Sequence, residues 1–284
     1  MRGRLAVSER LSFVGFAATW VATFLAAPAF ADETWFLPAD RPVDFEPSKS
    51  GWREVWGGVD AASDQWLVYS GMTVAPWSRD IYSDGWRLRI GGGYGQFGYD
   101  RDVANDPGCE TPPAVACSYS SKHFEVDHSY AEALIGYHLR LGELTAKAFA
   151  GASVSSEQHL KPDPNSTGDG IQYGAKGALE LWLNMGDSAW TSLDGSYATA
   201  RNESCARWRA GWRVAPRLSV GPELRYDKNI ESGEGEWNGH AGLFARYEWI
   251  GGEVSLAGGA AGRIDDWGTS ALSPYGTVNV LFQY

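Results

Sequence analysis

Arginine recurs at alternate positions in several parts of this 284-residue chain: Arg87 and Arg89, then Arg207, Arg209 and Arg213, then Arg225 beside Glu223. Between them stand Trp86, Leu88, Trp208, Ala210, Trp212 and Leu224. An extended chain sends successive side chains to opposite faces, so each run presents one ionic and one greasy face. Glu54 and Glu180 hold the ionic parity of their own runs. Fixed charges of both signs can pair with one another, order water, or hydrogen-bond a hydroxyl-rich solute. Glu54, Arg87, Arg89, Glu180, Arg207, Arg209, Arg213, Glu223 and Arg225 are therefore the candidates for lining a shared interior, with Arg209/Glu223 and Arg87/Glu54 as nominated pairs. Two uses stay open: a hydrated passage for polar solutes, or an ion-pair lattice that fills a narrow core.

Other reactive side chains are sparse. His128, Glu132 and His138 share one parity, and a positioned base can activate a nucleophile. No Gly-x-Ser-x-Gly stretch and no paired metal-ligand motif accompanies them. No catalytic residue, metal site or cofactor is expected. The run Gly91-Gly92-Gly93-Tyr94-Gly95 is not followed by a helical pattern, so it is read as room for bending or close packing rather than a phosphate loop. Of three cysteines, Cys109 and Cys117 share one Gly/Pro-rich loop and are the disulfide candidate, while Cys205 is left over. Many of the 14 tryptophans, Trp182 and Trp190 among them, fall near expected strand ends, as in the interfacial girdles of membrane proteins. Trp56, Trp77 and Trp267 are the candidates for stacking on sugar rings.

The elements that must position these groups are strands. From residue 51 onward the chain is a train of alternating segments of about ten residues. Val55, Gly57, Val59 and Ala61 oppose Glu54, Trp56, Gly58 and Asp60. Ala133, Ile135, Tyr137 and Leu139 oppose Glu132, Gly136, His138 and Arg140. Leu218, Val220, Leu224 and Tyr226 oppose Arg217, Ser219, Glu223 and Arg225. Gln65 to Ala75 alternates poorly, and a long loop is expected over about Asp100 to Lys122. The last segment sets Val278, Val280, Phe282 and Tyr284 against Thr277, Asn279 and Gln283. Short turns near Gly142, Gly186, Pro216 and Gly251 alternate with long connections near Gly108, Pro164, Ser232 and Asp266.

The expectation is an all-β, transmembrane, up-and-down antiparallel β-barrel of about twelve strands in the bacterial outer membrane. A midplane arginine facing lipid costs roughly 2–4 kcal/mol, so the ionic faces must look inward. Arg2, Arg4 and Arg10, an uncharged stretch and Ala29-Phe30-Ala31 read as a signal peptide over 1–31. Residues 32–50 read as a periplasmic lead-in and 51–284 as the barrel. The formal charge of −11 argues against nucleic acid as a ligand; outer-membrane lipid is the expected surrounding.

Several phrases carry a resemblance. Gly92-Gly93-Tyr94-Gly95-Gln96-Phe97-Gly98-Tyr99, Gly174-Ala175-Lys176-Gly177 with Glu180-Leu181-Trp182, Trp208-Arg209-Ala210-Gly211-Trp212-Arg213, Gly221-Pro222-Glu223 and Tyr275-Gly276-Thr277 resemble, in order, the cellulose biosynthesis protein BcsS family. The resemblance implies an outer-membrane accessory to bacterial cellulose biosynthesis and secretion, with biofilm exopolysaccharide as its setting. It implies cellulose, another polysaccharide or cellulose-secretion proteins as partners, and brings no catalytic residues. Whether such a barrel guides the glucan, anchors it as a closed adhesion module, or passes small solutes as a porin stays open at this point.

Overall fold

In a computed structural model of the protein, residues 51–78, 80–105, 118–163, 169–229, 236–263 and 272–284 are described. The expected signal peptide and lead-in, the Cys109 and Cys117 pair, and Trp267 lie outside them. The described residues form twelve strands: β1 (Arg53–Ala62), β2 (Gln65–Val74), β3 (Gly85–Ala104), β4 (Tyr119–Leu141), β5 (Leu144–His159) and β6 (Gly170–Met185) are followed by β7 (Ala189–Ala198), β8 (Glu203–Ala215), β9 (Leu218–Asn229), β10 (Glu236–Trp249), β11 (Gly252–Arg263) and β12 (Ser273–Gln283). Each pairs antiparallel with the next, and β1 pairs with β12 to close the barrel. The seam runs from Glu54 opposite Gln283 to Ala62 opposite Tyr275. At its foot Arg53 and Tyr284 exchange backbone hydrogen bonds of 3.2 and 3.0 Å. Closure leaves no unpaired edge, the condition for sheet in a bilayer.

Alternation decides what faces outward. Leu88, Ile90, Leu179, Leu193, Trp208, Leu224, Leu243 and Leu256 stand exposed on the outer wall. A continuous greasy band of this kind is not tolerated in water and suits acyl chains. The inner wall carries buried Glu54, Arg87, Glu132, Ser192, Arg209, Glu223 and Ser255. This is an outer-membrane barrel with an ionic interior.

Gly142, Gly186 and Gly251, with φ of 61°, 68° and 85°, sit in the tight turns of one end, the periplasmic end by the usual rule of short turns. The expected rhythm of short and long connections has exceptions. The 75–84 connection is long and lies at the short-turn end, whereas β1–β2 and β7–β8 join closely at the other. The β7–β8 link contains a 3-10 turn, Ala200–Asn202.

The long loop expected over Asp100 to Lys122 is corrected, because β3 continues to Ala104 and β4 begins at Tyr119. These strands have 20 and 23 residues, beyond the roughly 9–11 that cross a bilayer. Pairing with β2 stops at Phe97 and with β5 at Val126. Residues 98–104 and 119–125 thus project as a two-stranded ribbon. Asp100, Asp102 and Lys122 face water there rather than lipid, which hid the strand pattern.

Candidate functional site

The lumen is the candidate site, and parity brings its charges together. Arg209 on β8 meets Glu223 on β9 at 2.5 Å, with side chains only 8% and 1% exposed. The Tyr275 hydroxyl donates to the same carboxylate at 3.1 Å, and Arg209 donates to Ser255 Oγ at 3.3 Å. Arg207 pairs with Asp194 at 3.1 Å. Arg213 donates to Asn184 Oδ1 at 2.8 Å and to the Asp187 carbonyl at 3.2 Å, near the periplasmic turns.

Three further connections cross the bore. Arg225 on β9 reaches Asp60 on β1 at 2.5 Å, and its Nε meets Asp227 at 2.7 Å. Lys147 on β5 lies 3.7 Å from Glu54 on β1 and 3.5 Å from Glu180 on β6. Arg89 on β3 bridges Glu132 at 3.2 Å and Glu180 at 2.5 Å. In a twelve-strand ring, β9 to β1 and β1 to β5 are each four strands apart. These side chains therefore span open bore rather than run along the wall.

The nominated pair Arg87/Glu54 is not formed. Arg87 turns to the 75–84 connection, donating to the carbonyls of Ile81 at 3.0 Å, Asp80 at 3.4 Å and also Ser83. Glu54 accepts from Gln283 Nε2 at 3.2 Å and faces Lys147. Strand parity predicts the face a residue occupies, but the partner across a barrel depends on the stagger between strands.

Aromatic side chains fill the remaining space. Trp56 points inward beneath the Arg89 guanidinium, 4.8 Å from its ring centre. A Cβ at Gly71 would come within 2.2 Å of that indole, and one at Gly91 within 2.9 Å; glycine on β2 and β3 makes room for it. Trp182 and Trp190 stack inside the barrel at 4.0 Å and 20°, which corrects their placement in an outer girdle. Arg246 lies over Trp182 at 4.4 Å and pairs with Glu248 at 2.8 Å and with Glu253. Trp77 is exposed on the 75–84 connection.

His128 and His138 on β4 each have a hydrogen-bond partner. His138 Nδ1 lies 2.8 Å from the Ser83 carbonyl. His128 meets Glu157 at 3.2 Å, and Arg201 donates to the other oxygen of Glu157 at 3.1 Å. Ligand atoms of His128, Glu157 and Glu203 converge within 4.8 Å. The Arg201 guanidinium supplies one positive charge, against Glu157, and so offsets one of the two carboxylates of the cluster. Beyond the strands, hydrogen bonds from the His159 ring and backbone hold the Asp169 carboxyl below its ordinary pKa. Lys147, Lys176, Asp194 and Asp227 were not among the sequence candidates; each lies at the ionic parity of its run, the signal that would have found them.

The arrangement is thus a bore of mixed fixed charges, neutralised in place and crossed by side chains. Water reaches parts of it: Glu180, Asp194 and Arg207 keep 30%, 32% and 31% side-chain exposure.

A family model described as cellulose biosynthesis protein BcsS matches residues 55–284. No curated protein matches the chain. Among solved structures, similar barrels include the KdgM porin, at 8% identity over 81% of this chain and 99% of that chain, TM-score 0.44. Acinetobacter baumannii outer membrane protein Omp33 is similar at 12% identity over 83% and 99%, TM-score 0.37. The transport unit of the Escherichia coli autotransporter AIDA-I is similar at 11% identity over 89% and 95%, TM-score 0.42.

Proposed function

Because the chain belongs to the cellulose biosynthesis protein BcsS family, we propose that it is a sealed outer-membrane barrel that anchors secreted glucan or its secretion partners at the cell surface. The observation that carries this reading is the set of ionic contacts across the bore, Asp60–Arg225, Glu54–Lys147 and Arg89–Glu180. A glucan threading the lumen would have to part all three and leave their charges unpaired, which is costly away from bulk water. Neutral hydroxyls repay such charges poorly.

The outward ribbon of β3 and β4 supplies the surface for contact. Deleting residues 102–118 is expected to abolish retention of cellulose on the cell while leaving the amount synthesised unchanged. Unchanged retention would remove the anchoring role. Trp77 has an exposed indole but sits on the periplasmic 75–84 connection, at the opposite end from the ribbon, so it takes no part in this anchoring; Trp56 has one face covered by Arg89. The reading assigns no catalytic role and no cofactor.

A second reading, a small-solute porin, is favoured by the partial exposure of Glu180, Asp194 and Arg207. Planar-bilayer recording separates the two. The sealed barrel gives no steady conductance, and stable channels would favour the porin.

A further inference from the structure

Three of the periplasmic connections need only the residues 142–143, 216–217 and 250–251, whereas β2 and β3 are joined by 75–84. Ordering so many extra residues costs chain entropy, so the segment must make contacts that a tight turn would not. Its Ile81 is 3% exposed. Tyr82 reaches Gln283 on β12, and Asp84 Oδ1 accepts the Arg140 amide on β4 at 2.7 Å. The connection therefore covers the rim of the mouth along five consecutive strands, β12, β1, β2, β3 and β4, instead of hanging beneath β2 and β3 alone.

We propose that residues 75–84 are a plug of the periplasmic mouth, seated by Arg87 and His138 and coupled through Gly51 and Trp52 to the segment that enters the barrel. Arg87 is 1% exposed and makes no ion pair among the described residues. Its Nη2, with two N–H donors, is shared among the carbonyls of Asp80, Ile81 and Ser83, while Nη1 donates to the Trp86 carbonyl at 2.9 Å. His138 Nδ1 engages the same Ser83 carbonyl from the neighbouring strand. The Asp80 carbonyl also accepts from the Ser78 and Ser83 hydroxyls at 2.9 and 3.0 Å, so the segment is knit to itself as well as to the wall. Gly85, with φ 144°, is the pivot at which the plug turns into β3.

The coupling is in the backbone. The Ala75 amide donates to the Trp52 carbonyl at 2.7 Å, and the Ile81 amide donates to the Gly51 carbonyl at 3.0 Å. Gly51 and Trp52 immediately precede β1. A periplasmic partner that displaces the entering segment removes two tethers of the plug at once, leaving Arg87 and His138 to hold it. The plug lies below the cross-bore ion pairs and is a second barrier in series with them. The inference rests on the sealed-barrel reading only for that series arrangement.

The test uses the full-length barrel with Cys109, Cys117 and Cys205 replaced by serine, and folding checked by heat-modifiable mobility. Ser83→Cys is expected to resist a bulky, membrane-impermeant maleimide, while Asp187→Cys in an exposed turn reacts quickly. Adding Ile81→Asn, or Arg87→Ala as an independent second change, should raise Ser83→Cys labelling to the Asp187→Cys rate. Fast labelling in the parent barrel would overturn the plug. In planar bilayers, a barrel with the three cross-bore contacts removed together (Asp60→Ala with Arg225→Ala, Glu54→Ala with Lys147→Ala, Arg89→Ala with Glu180→Ala) should pass current only when Ile81→Asn is also present. If that barrel conducts as well without Ile81→Asn, the plug fails and the sealed-lumen reading stands. If the parent barrel conducts steadily, the sealed-lumen reading fails, and the labelling result alone decides the plug.

Discussion

At the scale of the residue, the lumen depends on charges that cannot be removed singly. Arg209→Ala would strand the Glu223 carboxylate, whose side chain is 1% exposed. Breaking a buried pair in this way costs about 3–5 kcal/mol, read as a lower urea midpoint for the folded, heat-modifiable band. The double change Arg209→Met with Glu223→Met should recover most of that loss, because apolar replacements of similar volume remove the uncompensated charge. Trp190→Ala, beneath Trp182 and above Gly211, should cost about 3–5 kcal/mol by opening a cavity. Inward parity was legible from alternation alone for the arginine runs. Partner choice was not, as Arg87 demonstrates by choosing loop carbonyls over Glu54.

At the scale of the element, legibility followed the contrast between the two faces. β8 sets Arg207, Arg209 and Arg213 against Trp208 and Trp212, and reads plainly. β2 read poorly because its inward face, Leu67, Tyr69, Gly71 and Thr73, is nearly as apolar as its outward Val68 and Met72. The Trp56 indole packs on that inward side and leaves little need for charge. On the outer wall, Leu243 is 70% exposed near the middle of β10. Leu243→Arg should cost roughly 2–4 kcal/mol and lower the folded fraction in lipid vesicles, whereas Leu243→Val should fold normally. At the outer rim, His159 hydrogen-bonds the Asp169 carboxyl and depresses its pKa. A depressed carboxyl contributes its stability above the unfolded pKa and loses it as pH falls through the folded one. Proteolysis within 160–169 should therefore stay flat from neutral pH down to about pH 4 and rise below it. Asp169→Asn should raise the neutral rate and flatten the profile.

At the scale of the whole molecule, the strand count, the closure and the ionic interior were all written in the alternation, because a bilayer forces every strand to obey the same rule. The plug was not, since 75–84 has no period, and its placement comes from a few backbone bonds and one buried isoleucine. The seam has a further consequence. Residues 53 and 284 are hydrogen-bonded neighbours at the foot of the barrel, so the ring is completed only when the last strand meets the first. Until then β1 and β12 each present a naked ladder of amides and carbonyls inside or beside the bilayer, an invitation to mispairing. A chain truncated before Ser273 should accumulate as aggregate or be degraded rather than mature as an eleven-stranded sheet.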